Sequence, residues 1–416
     1  MRADVRPRFG SRPTVRNAHQ RLAAGLERGL DLTALLFFPL FVLAPRGIAP
    51  LASAAGLFAG GLIVSRSPRV VLCTRLAIPA AVLGALMTWA VFSAVWSINP
   101  LRSLAEAARI IGLSVAGLAM TAAVDHVRAP RRLASCLLVG FALAVAMAIL
   151  DFASHGALSR PFSTRLYQPA WLNQASVAFA ILVLPTGAYL IASGRKWTGV
   201  LFASVVAATV VALAGTAAKA ALAAGIAVAV LCYFRRARSA QVAATLSVLV
   251  IVSAPLSFAR LDRVSELVAT ADAIKLSAGH RLLIWSFVGD RIAEHPLRGW
   301  GFNSSRLIPG GGDPIRPGET WLPLHPHNAP LQLWLELGVP GAVLFALLTA
   351  YLWLALARTG WARLYAAAAG AGLATVLVAS CATYGIWQEW WLGTLWFSLF
   401  VIQVMVGVPT ADVEIG

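Results

Sequence analysis

Charge is what this sequence most lacks. Only 12% of its 416 residues are Asp, Glu, Lys or Arg, about half the share found in soluble domains. That scarcity excludes an ordinary water-soluble globule. Acidic residues are the rarer sign, 17 against 34 basic ones. Cysteine is nearly absent, and Cys73, Cys136, Cys232 and Cys381 all lie within apolar runs without metal-ligand spacing. They read as small core hydrophobes, with no disulfide framework and no thiolate metal site expected. No P-loop pattern is present, so nothing points to a bound nucleotide. The net charge of +17 does not imply nucleic acid, because the cations sit in short turns rather than in one patch.

What the chain has is hydrophobic length. Its residues are 59% hydrophobic and its mean hydropathy is +0.76. Apolar runs of about 20 residues, enough to cross a bilayer core, recur along it. They are rich in Ala and Leu and do not alternate, so they predict helices rather than a barrel. The expected fold is an all-α polytopic membrane protein of about twelve transmembrane helices, with one long loop that itself contains helices. Residues 1–29 read as a basic tail, 30–258 as nine spans, 259–328 as the long loop, 329–408 as three more spans and 409–416 as a second tail. The first two spans, 30–45 and 48–64, are short enough that a re-entrant pair is the alternative.

Orientation follows from the flanking cations. The tail and one set of turns hold 20 Lys and Arg residues, whereas the opposite short turns hold only Arg46, Arg102, Arg160, Arg165 and Lys219. Both termini are therefore expected in the cytoplasm and residues 259–328 outside, in the periplasm if the cell has one.

The long loop carries eight basic and seven acidic residues, so any anion site in it must come from local placement. Helical periods cover 259–275 and 280–294, the second placing Arg281 and Trp285 one turn apart and ending at His295-Pro296. The run Pro309-Gly-Gly-Gly-Asp313-Pro314 reads as a surface loop or lid. Beyond it lies Leu322–Gly341, with two of only seven histidines, His325 and His327. Asn328 is the expected N-cap of the next helix, Pro330 its first turn, and Gly338-Val-Pro-Gly341 its kink. His325 and His327 are either surface histidines that merely cap a helix, or His327 takes a proton from a hydroxyl, as a neutral imidazole can. Lys219 is either a snorkelling lysine or a cation aimed at a lipid phosphate. Arg281 offers the planar fork that suits phosphate oxygens, and Arg165 is a further candidate. Glu389 with Trp387, Trp390 and Trp391 looks first like an aromatic belt.

His327-Asn328, followed after nine residues by Gly338-x-x-Gly341, resembles the signature of the O-antigen ligase and polymerase superfamily. Gly279-His-Arg281-Leu-Leu-Ile-Trp285, the turn Gly299-Trp-Gly301, Ser93-Ala-Val-Trp96-Ser97 and Leu172-Asn173-Gln174-Ala175 resemble its other conserved-type segments. The resemblance implies an inverting glycosyltransferase of the GT-C type that needs no cofactor, neither metal nor nucleotide. It implies a donor glycan on undecaprenyl pyrophosphate and, for the ligase, lipid A–core oligosaccharide as acceptor. His327 would then be the catalytic base. Arg281 and Lys219 would bind pyrophosphate, with Arg165, Asn328 and His325 as further substrate-binding candidates. Lys219 departs from the family's Arg and loses the bidentate fork. A polymerase or protein O-oligosaccharyltransferase shares this chemistry. A transporter or flippase is the reading from another class, although no repeated halves are visible.

Overall fold

A computed structural model describes residues 15–66, 74–162, 167–258, 265–274 and 276–407, and these are almost entirely helical. Thirteen helices follow one another: α1 Val15–Leu43, α2 Ile48–Arg66, α3 Thr74–Phe92, α4 Pro100–Ala123, α5 Pro130–Ala153, α6 Asn173–Ala192, α7 Lys196–Ala212, α8 Thr216–Phe258, α9 Ser265–Ile274, α10 Leu276–Glu294, α11 Ala329–Arg358, α12 Arg363–Ser380 and α13 Glu389–Gly407. The only sheet among the described residues is a small antiparallel hairpin, β1 Pro314–Arg316 with β2 Glu319–Thr320. Among the described residues, nine helical stretches are long and apolar enough to span a membrane. The protein is a multi-pass, all-α membrane protein.

The expected count of twelve differs from nine for identifiable reasons. The 43-residue α8 bends at Arg235 (φ −139°, ψ 49°) and so holds two expected spans, 218–234 and 239–258. Helix α7 has 17 residues. Helix α1 carries Glu27, Arg28 and Asp31 just ahead of its apolar part. That helix is 29 residues long and α2 is 19, so neither is short. The expected tail boundary at residue 29 falls inside α1, because Glu27 and Asp31 anchor its polar half: Glu27 meets Arg66 at 2.8 Å and Asp31 meets Arg132 at 2.6 Å.

Helix α6 is apolar all round and occupies the bundle centre, with Ala175–Val183 buried without a break. Beside it, stacked phenylalanines join α1 to α13, Phe37 on Phe397 at 4.0 Å, and α1 to α5, Phe38 on Phe141 at 4.1 Å, while Phe141 also meets Phe179 of α6 at 5.4 Å. Small residues let backbones close: a Cβ on Gly225 of α8 would stand 2.3 Å from Thr375 Oγ1 of α12. The expected surface loop at 309–314 is an ordered turn, with Gly311 N bonded to Ile308 O and Leu322 N to Gly311 O. Arg316 then ties the hairpin to α9 through Asp272 at 2.7 Å.

Candidate active site

The site begins with a break in α11. Asn328 is its N-cap, accepting from Leu331 N at 3.1 Å, and Pro330 lies in the first turn. At Gly338 the backbone turns to φ +62°, ψ −155°, a left-handed conformation that suits glycine. Pro340 cannot donate a helical bond, so carbonyls in the preceding turn lose their partners. Other segments supply them: Trp300 N bonds Leu335 O and Gly301 N bonds Glu336 O, both at 2.9 Å, and Trp89 Nε1 bonds Leu337 O at 2.9 Å. The Gly299-Trp-Gly301 turn is thus docked into the break. Ser93 Oγ accepts from Phe302 N, and Ser103 Oγ donates to Phe302 O. Through these bonds the Ser93–Ser97 segment supports the same turn.

Just ahead of the N-cap, His327 has φ +55°, unusual for a non-glycine residue and worth about 1–3 kcal/mol of strain. Its neighbours hold it there. His325 Nδ1 accepts from the His327 backbone N–H at 3.2 Å, and the two rings lie 4.2 Å apart. His327 Nδ1 faces the Thr383 carbonyl, so that nitrogen carries the proton and Nε2 keeps its lone pair. Among the described residues Nε2 has no hydrogen-bond partner, and it is not one of the sealed unpartnered atoms. Burial and the nearby Arg281 pull the His327 pKa down, although the Thr383 carbonyl opposes them. The more deeply buried His325 is pushed down to about 3. Both imidazoles are neutral at pH 7.

The partner surface is Thr383–Gln388, between α12 and α13. Ile386 N donates to Gln332 Oε1 at 3.0 Å and Trp387 Nε1 to Glu336 Oε2 at 2.7 Å. The Gln388 amide lies 3.2 Å from His325 Nε2. Since His325 Nδ1 accepts, Nε2 carries the proton, and turning the Gln388 amide over, which brings its otherwise unpartnered buried oxygen to that position, supplies the acceptor it needs. A Cβ on Gly385 would come within 2.8 Å of His325 Cδ2. Glu336 is wholly buried and also receives Asn303 N at 2.7 Å, Gln332 Nε2 at 3.1 Å and the Ser305 hydroxyl. It clamps three segments together.

Arg281 enters from α10. One turn on, Trp285 Nε1 donates to Pro326 O at 2.9 Å, which fixes this face of α10 against the histidine loop. The Arg281 guanidinium has no carboxylate or hydrogen-bond partner among the described residues. Burial lowers its pKa, and the nearby Tyr384 raises it. Burial in turn raises the Tyr384 phenol, so it stays neutral. Chemically, an unpaired guanidinium can hold an anion, and a neutral imidazole beside it can accept a hydroxyl proton. Arg306, exposed on the turn Ser305–Leu307, adds a second positive charge acting on His325.

Not every expected residue gathers here. Lys219 sits in the first turns of α8, half-buried, with no ion pair among the described residues and no part in the histidine network. Arg165 lies outside the described residues, as does Cys73. The expected aromatic belt is corrected at two positions, for Trp391 is wholly buried and Trp387 is bonded to Glu336. Only the tertiary packing shows that Thr383, Tyr384, Gly385, Gln388, Gln332 and Glu336 belong to the site. The polar Gln and Glu of apolar α11 were the available signal.

Comparison with known proteins gives the chain a family likeness. Residues 200–346 match the family model described as O-antigen ligase. Over that stretch the chain is similar to the O-antigen ligase family. The matched stretch takes in Lys219, Arg281, His325, His327, Asn328 and Gly338 and ends before the Thr383–Gln388 segment. Three relatives carry the name "Putative polysaccharide ligase". The one from Rickettsia felis is 27% identical over 327 residues, 76% of this chain and 78% of its own. The one from Rickettsia typhi is 25% identical over 401 residues, 92% and 94% of the two chains. The one from Rickettsia conorii is 37% identical over 138 residues, 32% and 33%.

Proposed function

We propose that this protein is an O-antigen ligase. It moves a glycan from undecaprenyl pyrophosphate to a sugar hydroxyl of lipid A–core oligosaccharide at the periplasmic face of the inner membrane. The observation that carries the reading is the tautomer of His327: its Nδ1–H is committed to Thr383 O, leaving Nε2 as a base beside the unpaired Arg281. The acceptor hydroxyl gives its proton to Nε2 as its oxygen bonds to the anomeric carbon. The carbon–oxygen bond to diphosphate breaks, and the electron pair leaves with the diphosphate. Arg281 holds that leaving group where its negative charge grows, which is where a fixed cation contributes most. Attack opposite the leaving group in one displacement inverts the anomeric centre. General-base assistance of this kind contributes about 100- to 10,000-fold.

The test is reconstitution of the purified protein with undecaprenyl-linked glycan and three acceptors in turn: lipid A–core oligosaccharide, a second lipid-linked glycan, and an acceptor protein. Product on lipid A–core alone supports the proposal. Product only on the second glycan makes the protein a polymerase, and product only on the protein makes it a protein transferase. His327→Ala and Arg281→Ala should each abolish transfer while the protein still inserts in the membrane.

A further inference from the structure

A separate cavity of about 260 Å³ opens between α10 and the 310–321 loop. Phe287, Asp290 and Arg291 line it from α10, and Gly310, Asp313 and Trp321 from the loop. Asp290 lies nine residues beyond Arg281, about 14 Å along the helix. The cavity side chains leave the helix on a face turned away from Arg281 and Trp285. None of them takes part in the histidine network, so the transfer chemistry leaves this cavity unused.

Its lining is specific. The Phe287 and Trp321 rings lie 5.8 Å apart and 23° from parallel, forming an aromatic wall. The Arg291 guanidinium covers Phe287 at 5.0 Å and is itself held by Glu294 at 2.5 Å. The Asp290 and Asp313 side chains have no hydrogen-bond or ion-pair partner among the described residues. Gly310, at φ +76°, lets the loop turn here without adding a side chain to the space. Aromatic faces offer flat apolar area to the C–H face of a sugar ring. Free carboxylates accept hydrogen bonds from its hydroxyls, and such charge-assisted bonds are the stronger kind. An aromatic wall with a few convergent polar groups is the kind of lining that ligand sites use.

We propose that this cavity is a saccharide subsite that grips one pyranose residue of a glycan chain, several sugars from the reacting carbon. Assigning that sugar to a reactant rests on the ligase reading above. Two glycans meet in that reaction, donor and acceptor, and both present pyranose rings.

The experiment uses the full-length protein in nanodiscs. The probes are the water-soluble oligosaccharides released from the source cell's lipopolysaccharide core and from its polyprenyl-linked glycan. Saturation-transfer NMR reports binding, and the reconstituted assay reports KM for each reactant. Trp321→Ala and Asp313→Asn should each weaken binding of one oligosaccharide about tenfold and raise the KM of the corresponding reactant, leaving the other's KM in place. Trp321→Phe, which keeps an aromatic face, should restore most of the binding and guards against misfolding of the Ala variant. His327→Ala should bind the oligosaccharide as the wild type does. Whichever KM moves identifies donor or acceptor. Binding and KM unchanged in both Trp321→Ala and Asp313→Asn would overturn the subsite while wild-type transfer kept the ligase reading intact. Binding that depends on Trp321, in a wild-type protein that transfers nothing, would instead keep the subsite and remove the ligase reading.

Discussion

At the scale of single residues, the decisive fact is which nitrogen of His327 is free. Thr383 O claims Nδ1, and the left-handed backbone at His327 points the ring toward that carbonyl. Strain of this kind persists only when its surroundings over-determine it. Here the His325 ring, Pro326 and the Asn328 cap do so. A pH dependence follows. His327 acts as a base only when neutral, and burial holds its pKa below the ordinary 6.5. The kcat/KM profile should therefore be flat at neutral pH, with its acid limb centred below 6.5. A limb centred above 6.5 would contradict the assignment. His325 predicts a stability effect. Unfolded, it binds a proton below about pH 6.5; folded, it does so only near 3. The unfolded state therefore gains protons first as pH falls between those values, and stability drops by up to about 1.4 kcal/mol per pH unit. Unfolding midpoints of wild type and His325→Gln, measured from pH 7 to pH 4, should diverge in slope by that amount.

At the scale of elements, the site is a joint between two broken helical regions. The break in α11 frees carbonyls that the Gly299–Gly301 turn and Trp89 occupy, and the connection from α12 to α13 closes over the histidines. Gly385→Ala tests this closure without touching a reacting group. Its Cβ would press on His325 Cδ2 and approach Gln332 Oε1 at 3.3 Å, so transfer should fall by tenfold or more with only a modest loss of stability. A variant with wild-type turnover would show that the segment is not a positioning element. Glu336→Gln probes the clamp. It turns one acceptor oxygen in a ring of donors into an NH2 donor, and leaving a buried donor unpaired costs about 1–3 kcal/mol. The expected result is a melting midpoint lower by several degrees, with weakened transfer.

At the scale of the molecule, charge sorts the two ends of the bundle. Glu27 and Asp31 of α1 gather Arg66 and Arg132, and Arg128 donates its backbone N–H to Glu27. Arg236 bonds Trp361 O at 2.8 Å, joining two more of the basic turns. The basic turns therefore pack against one another in two groups. The histidine site lies in the nearly neutral long loop and the helix ends beside it. If the positive turns face the cytoplasm, single cysteines introduced into a cysteine-free variant will report it. A cysteine at Gly312 should react with a membrane-impermeant maleimide in spheroplasts, and one at Gly360 only after permeabilisation. The reverse pattern would place the active site on the wrong face for the proposed acceptor.

Much of this was written in the chain itself, because it depends on local rules. Long apolar runs without alternation leave helices as the structure that satisfies the backbone in lipid. Asn328 before Pro330, and Gly338 before Pro340, mark a cap and a break wherever they occur. The rarity of histidine and the position of Arg281 one turn before Trp285 mark the same long loop in the sequence. What tertiary structure decided is the company those residues keep. Thr383 lies 56 residues from His327 and Gln388 63 from His325, so no local period connects them. In composition, Tyr384–Trp391 resembles a membrane belt; only packing turns Trp387 inward to Glu336 and sets Gly385 against an imidazole. The same holds for the unpaired state of Arg281, since the absence of a partner is a property of the folded surroundings. Sequence determined that histidines sit at the mouth of a span; the fold decided which nitrogen is free to act.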